Sequence, residues 1–202
     1  MVAVSLYRKE YKTGEMGLYI IHFVNPVTKE NHRITSSAVI LNCPYNIFTS
    51  AVRVGKKIIQ VIEDHNAVCD AVIFLGDGIE ELDYVKARFP QLIFFAVKGN
   101  CDFFAPDDIP SEALIDIDGV KIFIAHGHKY KVKMTYDIIV THAASIGADA
   151  VFFGHTHIPH SSCEYVGEKR IQLFNPGSIG TGYTYGVVNT SRGTLVMGLG
   201  RV

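Results

Sequence analysis

Five residues of this chain combine ligating chemistry with a telling position: Asp77, Asn100, His126, His155 and His157. Each lies next to, or within a few residues of, a glycine, and His126 and His155 each open a His-x-His pair (His126/His128 and His155/His157). Together they offer a carboxylate, an amide oxygen and three imidazoles. A site for two cations needs an anionic ligand that bridges them and neutral ligands for the other positions. Asp77, the carboxylate that follows the first glycine turn, is the natural bridge. A mixed nitrogen and oxygen set suits Mn, Fe, Zn, Co or Ni better than the all-oxygen shell of Ca or Mg. Two such ions about 3.5–4 Å apart clamp a phosphoryl group and lower the pKa of a bridging water.

The elements that must position these residues can be read from hydrophobic runs. Ala71–Leu75, Leu92–Val97, Val120–Ala125 and Ala150–Phe153 are short and almost continuously apolar, as strands buried on both faces are. Each stops at glycine and a polar, ligand-type residue: Gly76-Asp77, Gly99-Asn100, His126-Gly127-His128 and Gly154-His155-Thr156-His157. Helical spacing follows in Ile79–Phe89 and Thr135–Ile146. In open α/β sheets, sites form where such loops converge beyond the carboxyl ends of the strands. Farther on, Cys163–Val166 and Arg170–Phe174 read as a hairpin, and Gly186–Val188 and Thr194–Met197 as two more strands. All four are expected as antiparallel strands of a second sheet. Near the start, Leu18–Val24 and Ala38–Leu41 read as strands and Lys56–Glu63 as a helix, while Asn25–Ser37 is polar and turn-rich.

Composition bounds the rest. The 202 residues fit a single domain, 1–202, and 48% hydrophobic residues exclude a mostly disordered chain. With 19 basic against 20 acidic residues the net charge is −1, so no broad field favours a phosphate backbone and no strong nucleic-acid signal is present. No run approaches the roughly 18 apolar residues of a membrane span, so no membrane association is expected. Cys43, Cys69, Cys101 and Cys163 form no C-x-x-C pair and are expected as reduced thiols in a cytoplasmic protein, with a homodimer left open.

In their order, Gly76-Asp77, Gly99-Asn100-Cys101-Asp102, His126-Gly127-His128, Gly154-His155-Thr156-His157 and Asn175-Pro176-Gly177-Ser178 resemble the calcineurin-like metallophosphoesterase superfamily, in its small bacterial and archaeal phosphodiesterase branch. The resemblance covers about residues 70 to 180. It implies a four-layer α-β-β-α sandwich, two mixed β-sheets flanked by helices, and a phosphoesterase that hydrolyses phosphodiesters by a metal-activated hydroxide. It implies that Asp77 bridges two metals, that Asn100, His126 and His155 bind the second, and that His157 binds the first. His128 is implied near the substrate, so the catalytic set is Asp77, Asn100, His126 and His128. Mn2+ is the first expectation, with Ni2+, Fe2+, Zn2+ and Co2+ as alternatives, and the substrate is a small phosphodiester or other phosphate-containing molecule. Where the larger phosphatases of the superfamily carry a histidine after the Asn, this chain has Cys101; His128 and His160 are the alternative proton donors. The loop Asn175–Ser178 is expected to support the site through its backbone rather than to ligate.

One motif departs from the family. Its members open with Asp-x-His at the end of the first strand, and this chain has no aspartate before Asp64. Placing the motif just upstream of the Lys56–Glu63 helix puts Ala51 and Arg53 in its positions, with Arg53 able to grip a phosphate oxygen bidentately. His22, Glu30 and His32 are the substitutes upstream. Three readings follow: an enzyme with an impaired or rebuilt first metal site; a weak or inactive member that binds a phosphate ligand or a protein; or an altered reading frame over the first fifty residues. With only Asp77 and His157 left, the first metal site is expected to be weak, while the second fills.

Overall fold

A computed structural model describes residues 7–11, 18–23, 35–41, 51–65, 69–191 and 193–202. In chain order the elements are β1 (Tyr7–Tyr11), β2 (Leu18–Phe23), β3 (Thr35–Leu41), α1 (Ala51–His65), β4 (Ala71–Phe74), α2 (Ile79–Arg88), β5 (Ile93–Ala96), β6 (Glu112–Ile117) and β7 (Val120–Ala125). They continue with a 3-10 turn at His128–Tyr130, then α3 (Asp137–Ser145), β8 (Ala150–Phe153), β9 (Pro159–Val166), β10 (Lys169–Pro176), β11 (Thr184–Ser191) and β12 (Thr194–Arg201). They form a seven-stranded sheet, β1-β2-β6-β7-β8-β10-β9, and a five-stranded sheet, β12-β11-β3-β4-β5. Both are mixed: β3, β4 and β5 run parallel, as do β7, β8 and β10, and hairpins flank them.

The alternation of side chains along each strand makes the layers. In β4, Ala71 and Ile73 face the other sheet while Val72 and Phe74 pack beneath Val54, Ile58 and Ile62 of α1 and Leu82 and Val85 of α2. In β8, Ala150 and Phe152 join the same inter-sheet core, and Val151 and Phe153 lie under Ile139, Val140 and Ala143 of α3. The sandwich is therefore α-β-β-α, as expected, and strands buried on both faces explain the continuous apolar runs.

One expectation for the strands is corrected. The hairpin β9-β10 does not join a separate sheet: β10 pairs parallel with β8 and extends the seven-stranded sheet. Only β11 and β12 complete the five-stranded one, through the β11–β3 pairing. The carboxyl ends of β4, β5, β7, β8 and β10 consequently come to one edge of the sandwich, two from one sheet and three from the other.

The placement of the missing motif is also corrected. The strand parallel to β4 on its far side is β3, which ends at Leu41. Ala51 and Arg53 are instead in the first turn of α1, which begins a full turn before the amphipathic stretch visible in the sequence. His22 lies in β2, level with Asp116 of β6 and hence with Lys121 of β7. That register sets its backbone four residues, about 13 Å, below the carboxyl end of β7. Glu30, His32 and Cys43 lie outside the described residues.

Candidate metal centre

Asp77 stands in a turn of left-handed backbone, with φ of 89° at Gly76, 62° at Asp77 and 146° at Gly78. Only the glycines take such angles without strain, and a Cβ at Gly76 would meet the backbone of Gly99. A Cβ at Gly99 would in turn collide with the Asp77 carboxylate. The β4 and β5 turns are thus pressed together around one carboxyl group. Asp77 is 4% exposed, and its Oδ1 accepts the Cys101 N–H at 2.9 Å.

Asp102 fastens this pair of turns. Its Oδ2 accepts the N–H groups of Asp77 and Gly99, both at 2.7 Å, and its Oδ1 those of Gly78 (2.7 Å) and Ile79 (3.0 Å). Gly78 and Ile79 open α2, whose first N–H groups have no intrahelical partner, so a carboxylate from 24 residues away caps the helix.

His126 ends β7, fully buried. Its Nδ1 lies 2.6 Å from the carbonyl of Leu75. A carbonyl only accepts, so Nδ1 carries a proton and donates it there, and Nε2 is turned into the site. Nε2 stands 3.2 Å from Asp77 Oδ2 and 3.2 Å from His155 Nδ1. These three ligand atoms lie within 4.8 Å of one another. Two imidazole nitrogens and a carboxylate oxygen at this range need a proton or a cation between them. Two donors 2.1 Å from one tetrahedral ion lie about 3.4 Å apart, so the spacing fits a single transition ion.

His155 and His157 follow β8 with φ of 64° and 59°, left-handed like Asp77. Non-glycine residues hold such angles where the surroundings impose them, and functional sites are where they gather. Asn175 imposes them here. Fully buried at the end of β10, its Nδ2 donates to the Gly154 carbonyl (2.9 Å) and to Thr156 Oγ1 (3.0 Å), while its Oδ1 accepts the Gly177 N–H at 2.9 Å. The loop Asn175–Ser178 therefore supports the His-x-His segment, but through a side chain rather than the backbone. Ser178 is occupied within the loop, its Oγ accepting from the N–H and the hydroxyl of Thr181.

Of the other expected residues, His157 stands outside the three-atom group, yet its Nε2 is buried without a hydrogen-bond partner. The Nδ1 of His128 is likewise buried and unpartnered, and its ring centroid is 5.5 Å from that of His126. Asn100 is exposed between Gly99 and Cys101, its Nδ2 donating to Cys101 Sγ at 3.1 Å. The ring of His160 is bonded through Nε2 to Ser162 Oγ at 2.9 Å and lies with its centroid 4.5 Å from that of Tyr136.

Burial lowers the pKa values of His128 and His157 and takes that of His155 down to about 4, with the charge of Lys133 helping at His155 and His157. Burial alone would raise the Asp77 pKa; the hydrogen bond and charge of His126, the Cys101 N–H and the charge of His155 outweigh it and hold it below the ordinary carboxylate range. At neutral pH His128, His155 and His157 are thus uncharged and the Asp77 carboxylate is ionised, the states in which such groups ligate metals. Burial and the neighbouring Asp77 and Asp102 carboxylates raise the Cys101 thiol, so it stays protonated and is no nucleophile.

Sequence reading assigned no role to Asp102, Leu75 or Lys133. Asp102 was visible within Gly99-Asn100-Cys101-Asp102, but nothing in one dimension shows which N–H groups stand opposite it.

The fold agrees with that of known proteins. The family model of the calcineurin-like phosphoesterase superfamily domain matches residues 53–193, and the chain belongs to that family. It is 38% identical over 120 residues to the probable metallophosphoesterase YsnB of Bacillus subtilis (strain 168), a match covering 59% of this chain and 64% of that protein, a little under two thirds of its length. A probable metallophosphoesterase of Mycoplasma pneumoniae is 30% identical over 124 residues, covering 60% of this chain and 69% of its own. Among solved structures, a conserved uncharacterized protein of Streptococcus pneumoniae TIGR4, a predicted phosphoesterase, superimposes with a TM-score of 0.64 at 21% identity over 83% of this chain and 90% of its own. A novel archaeal phosphodiesterase does so with a TM-score of 0.55 at 22% identity over 81% and 99%. At this identity both share the fold. Among the described residues no helix is long and apolar enough to cross a membrane.

Proposed function

We propose that this chain is a metal-dependent phosphoesterase that hydrolyses small phosphodiesters at a centre held by Asp77, His126 and His155. The observation that carries the reading is the convergence of three ligand-type atoms from three loops, all within 4.8 Å of one another: Asp77 Oδ2, His126 Nε2 and His155 Nδ1. His157, whose buried Nε2 has no hydrogen-bond partner, and Asp77 would be the residues to hold a second ion. A divalent ion here supplies a Lewis acid that polarises a phosphoryl oxygen and brings the pKa of water toward neutrality.

The chain's own groups set what happens around it. Asp77 contributes the negative charge and His126, oriented by Leu75, a ligand nitrogen of fixed orientation. Asn100, exposed on the loop after β5, is proposed as a further oxygen ligand of that ion. His128, uncharged at neutral pH, is the group placed to take up a proton beside the centre. Lys133, whose charge is felt at His155, His157 and Cys101, offsets the negative charge of the substrate. Mn2+ is the first candidate ion, and the whole chain is proposed to act as one domain in the cytoplasm.

The experiment is hydrolysis of bis(4-nitrophenyl) phosphate by chelator-stripped protein resupplied with Mn2+. Turnover that vanishes with chelator and returns with metal supports the reading. Metal binding without turnover would point instead to the phosphate- or partner-binding reading.

A further inference from the structure

Among the described residues the four most exposed large hydrophobic side chains are Phe104 (89%), Met134 (84%), Phe103 (78%) and Ile158 (68%). All four sit on the loops that carry the candidate ligands. Phe103 and Phe104 directly follow Asp102, the clamp on the Asp77 turn, and Ile158 directly follows His157. Met134 closes a turn onto Lys131, in the segment after His128. That segment is folded back on the site, since buried Val132 packs where a Cβ on Gly127 would lie.

The two phenylalanines are the corners of a turn closed by the Ala105 N–H on the Asp102 carbonyl at 3.2 Å. Turn corners ordinarily carry Gly, Pro, Asn, Asp or Ser, and water-exposed phenyl rings forgo the stabilisation that burial would give them. Local folding thus gives no reason for them. We infer that Phe103 and Phe104, with Met134, form a platform for a flat aromatic arm of the substrate, so that the diester has an aryl or nucleobase-type substituent. The inference rests on the proposed phosphoesterase reading and deepens it. Flat rings stack on phenyl faces, and a thioether sulfur adds a favourable contact at a ring edge. Lys133, next to Met134, brings a positive charge to the same rim for the phosphate that such an arm must bear.

The test is calorimetric binding of phenylphosphonate and methylphosphonate to the Mn2+-loaded full chain, wild type and Phe103→Ala/Phe104→Ala. Because both rings are exposed, the variant leaves no cavity, and its melting curve checks the fold. The inference expects phenylphosphonate to bind about fivefold or more tightly than methylphosphonate in the wild type. In the variant that ratio falls to near one. A ratio near one in the wild type, or one unchanged in the variant, overturns it. So does octylphosphonate binding better than phenylphosphonate, which assigns the rim to an acyl-type chain. A wild-type dimer that the variant loses while the ratio holds assigns the rings to a second copy and overturns it too. Hydrolysis of the aryl diester is measured in parallel. Ring preference without turnover keeps this inference and sinks the phosphoesterase reading; turnover without ring preference does the reverse.

Discussion

Asp102 Oδ2 accepts the backbone N–H of Asp77 at 2.7 Å, so the candidate bridging carboxylate is held in its left-handed conformation by a second carboxylate 25 residues away. The same oxygen holds Gly99, and the other caps α2. One side chain thereby fixes the relative placement of two loops and a helix.

Asp102→Ala leaves four N–H groups without this acceptor. With about 1–3 kcal/mol for each buried donor that fails to find water, a total loss of about 3–5 kcal/mol is expected from urea unfolding of the metal-free protein. Asp102→Asn, which keeps one acceptor oxygen, recovers part of it. Equal stability of Asp102→Ala and wild type would contradict this role.

Asn175→Ala releases the Gly154 carbonyl and Thr156 Oγ1 and so lets the strained His155–His157 segment relax. Loss of a group that orients metal ligands typically costs 10- to 100-fold in affinity. Mn2+ titration is expected to show a loss in that range for Asn175→Ala and little change for Ser178→Ala, whose hydroxyl is engaged only with Thr181.

The pH dependence of the metal-free protein follows from the histidines. His155 titrates at about 4 when folded and near 6.5 when unfolded. Between these values the unfolded chain binds more protons, so stability falls as the pH drops through that window and is flat above it. His128 and His157, both lowered, act in the same sense, and the lowered Asp77 adds a loss at more acid pH. Urea midpoints measured from pH 7.5 to 4 should decline steadily, and His155→Gln should flatten the upper part of that decline. A midpoint that rises toward pH 5 would reverse the sign of the argument.

Much of this was legible in the sequence because the informative elements are strands buried on both faces. Ala71–Phe74 and Ala150–Phe153 have no polar residue to blur them, and each ends in a glycine that the turn geometry requires. β6 escaped notice because Glu112 and Asp116 interrupt its apolar residues, the sign of a strand with partly exposed positions. The division of the C-terminal hairpins between two sheets depends on pairings such as Phe174 with Phe152, which no local pattern encodes. In the site, residue types and spacing identified Asp77, His126 and His155. What holds them, the Leu75 carbonyl, Asp102 and Asn175, acts over 51, 25 and 21 residues of sequence and leaves no periodic trace.

Lys133 sits where its charge reaches two candidate histidine ligands. Lys133→Gln is expected to raise KM for a phosphodiester several-fold with a smaller effect on kcat, and Lys133→Arg to restore most of it. A kcat loss with unchanged KM would assign the lysine to another role.

The central claim is that Asp77, His126 and His155 hold a divalent transition ion. Its most direct test is calorimetric titration of chelator-stripped protein with Mn2+, comparing wild type with Asp77→Asn. That substitution keeps the volume of the side chain and removes its charge. About one tightly bound ion per wild-type chain, and a loss of at least 100-fold in affinity in a variant that remains folded, is the expected result. Equal affinity in the two proteins, or no tight ion in the wild type, would contradict it.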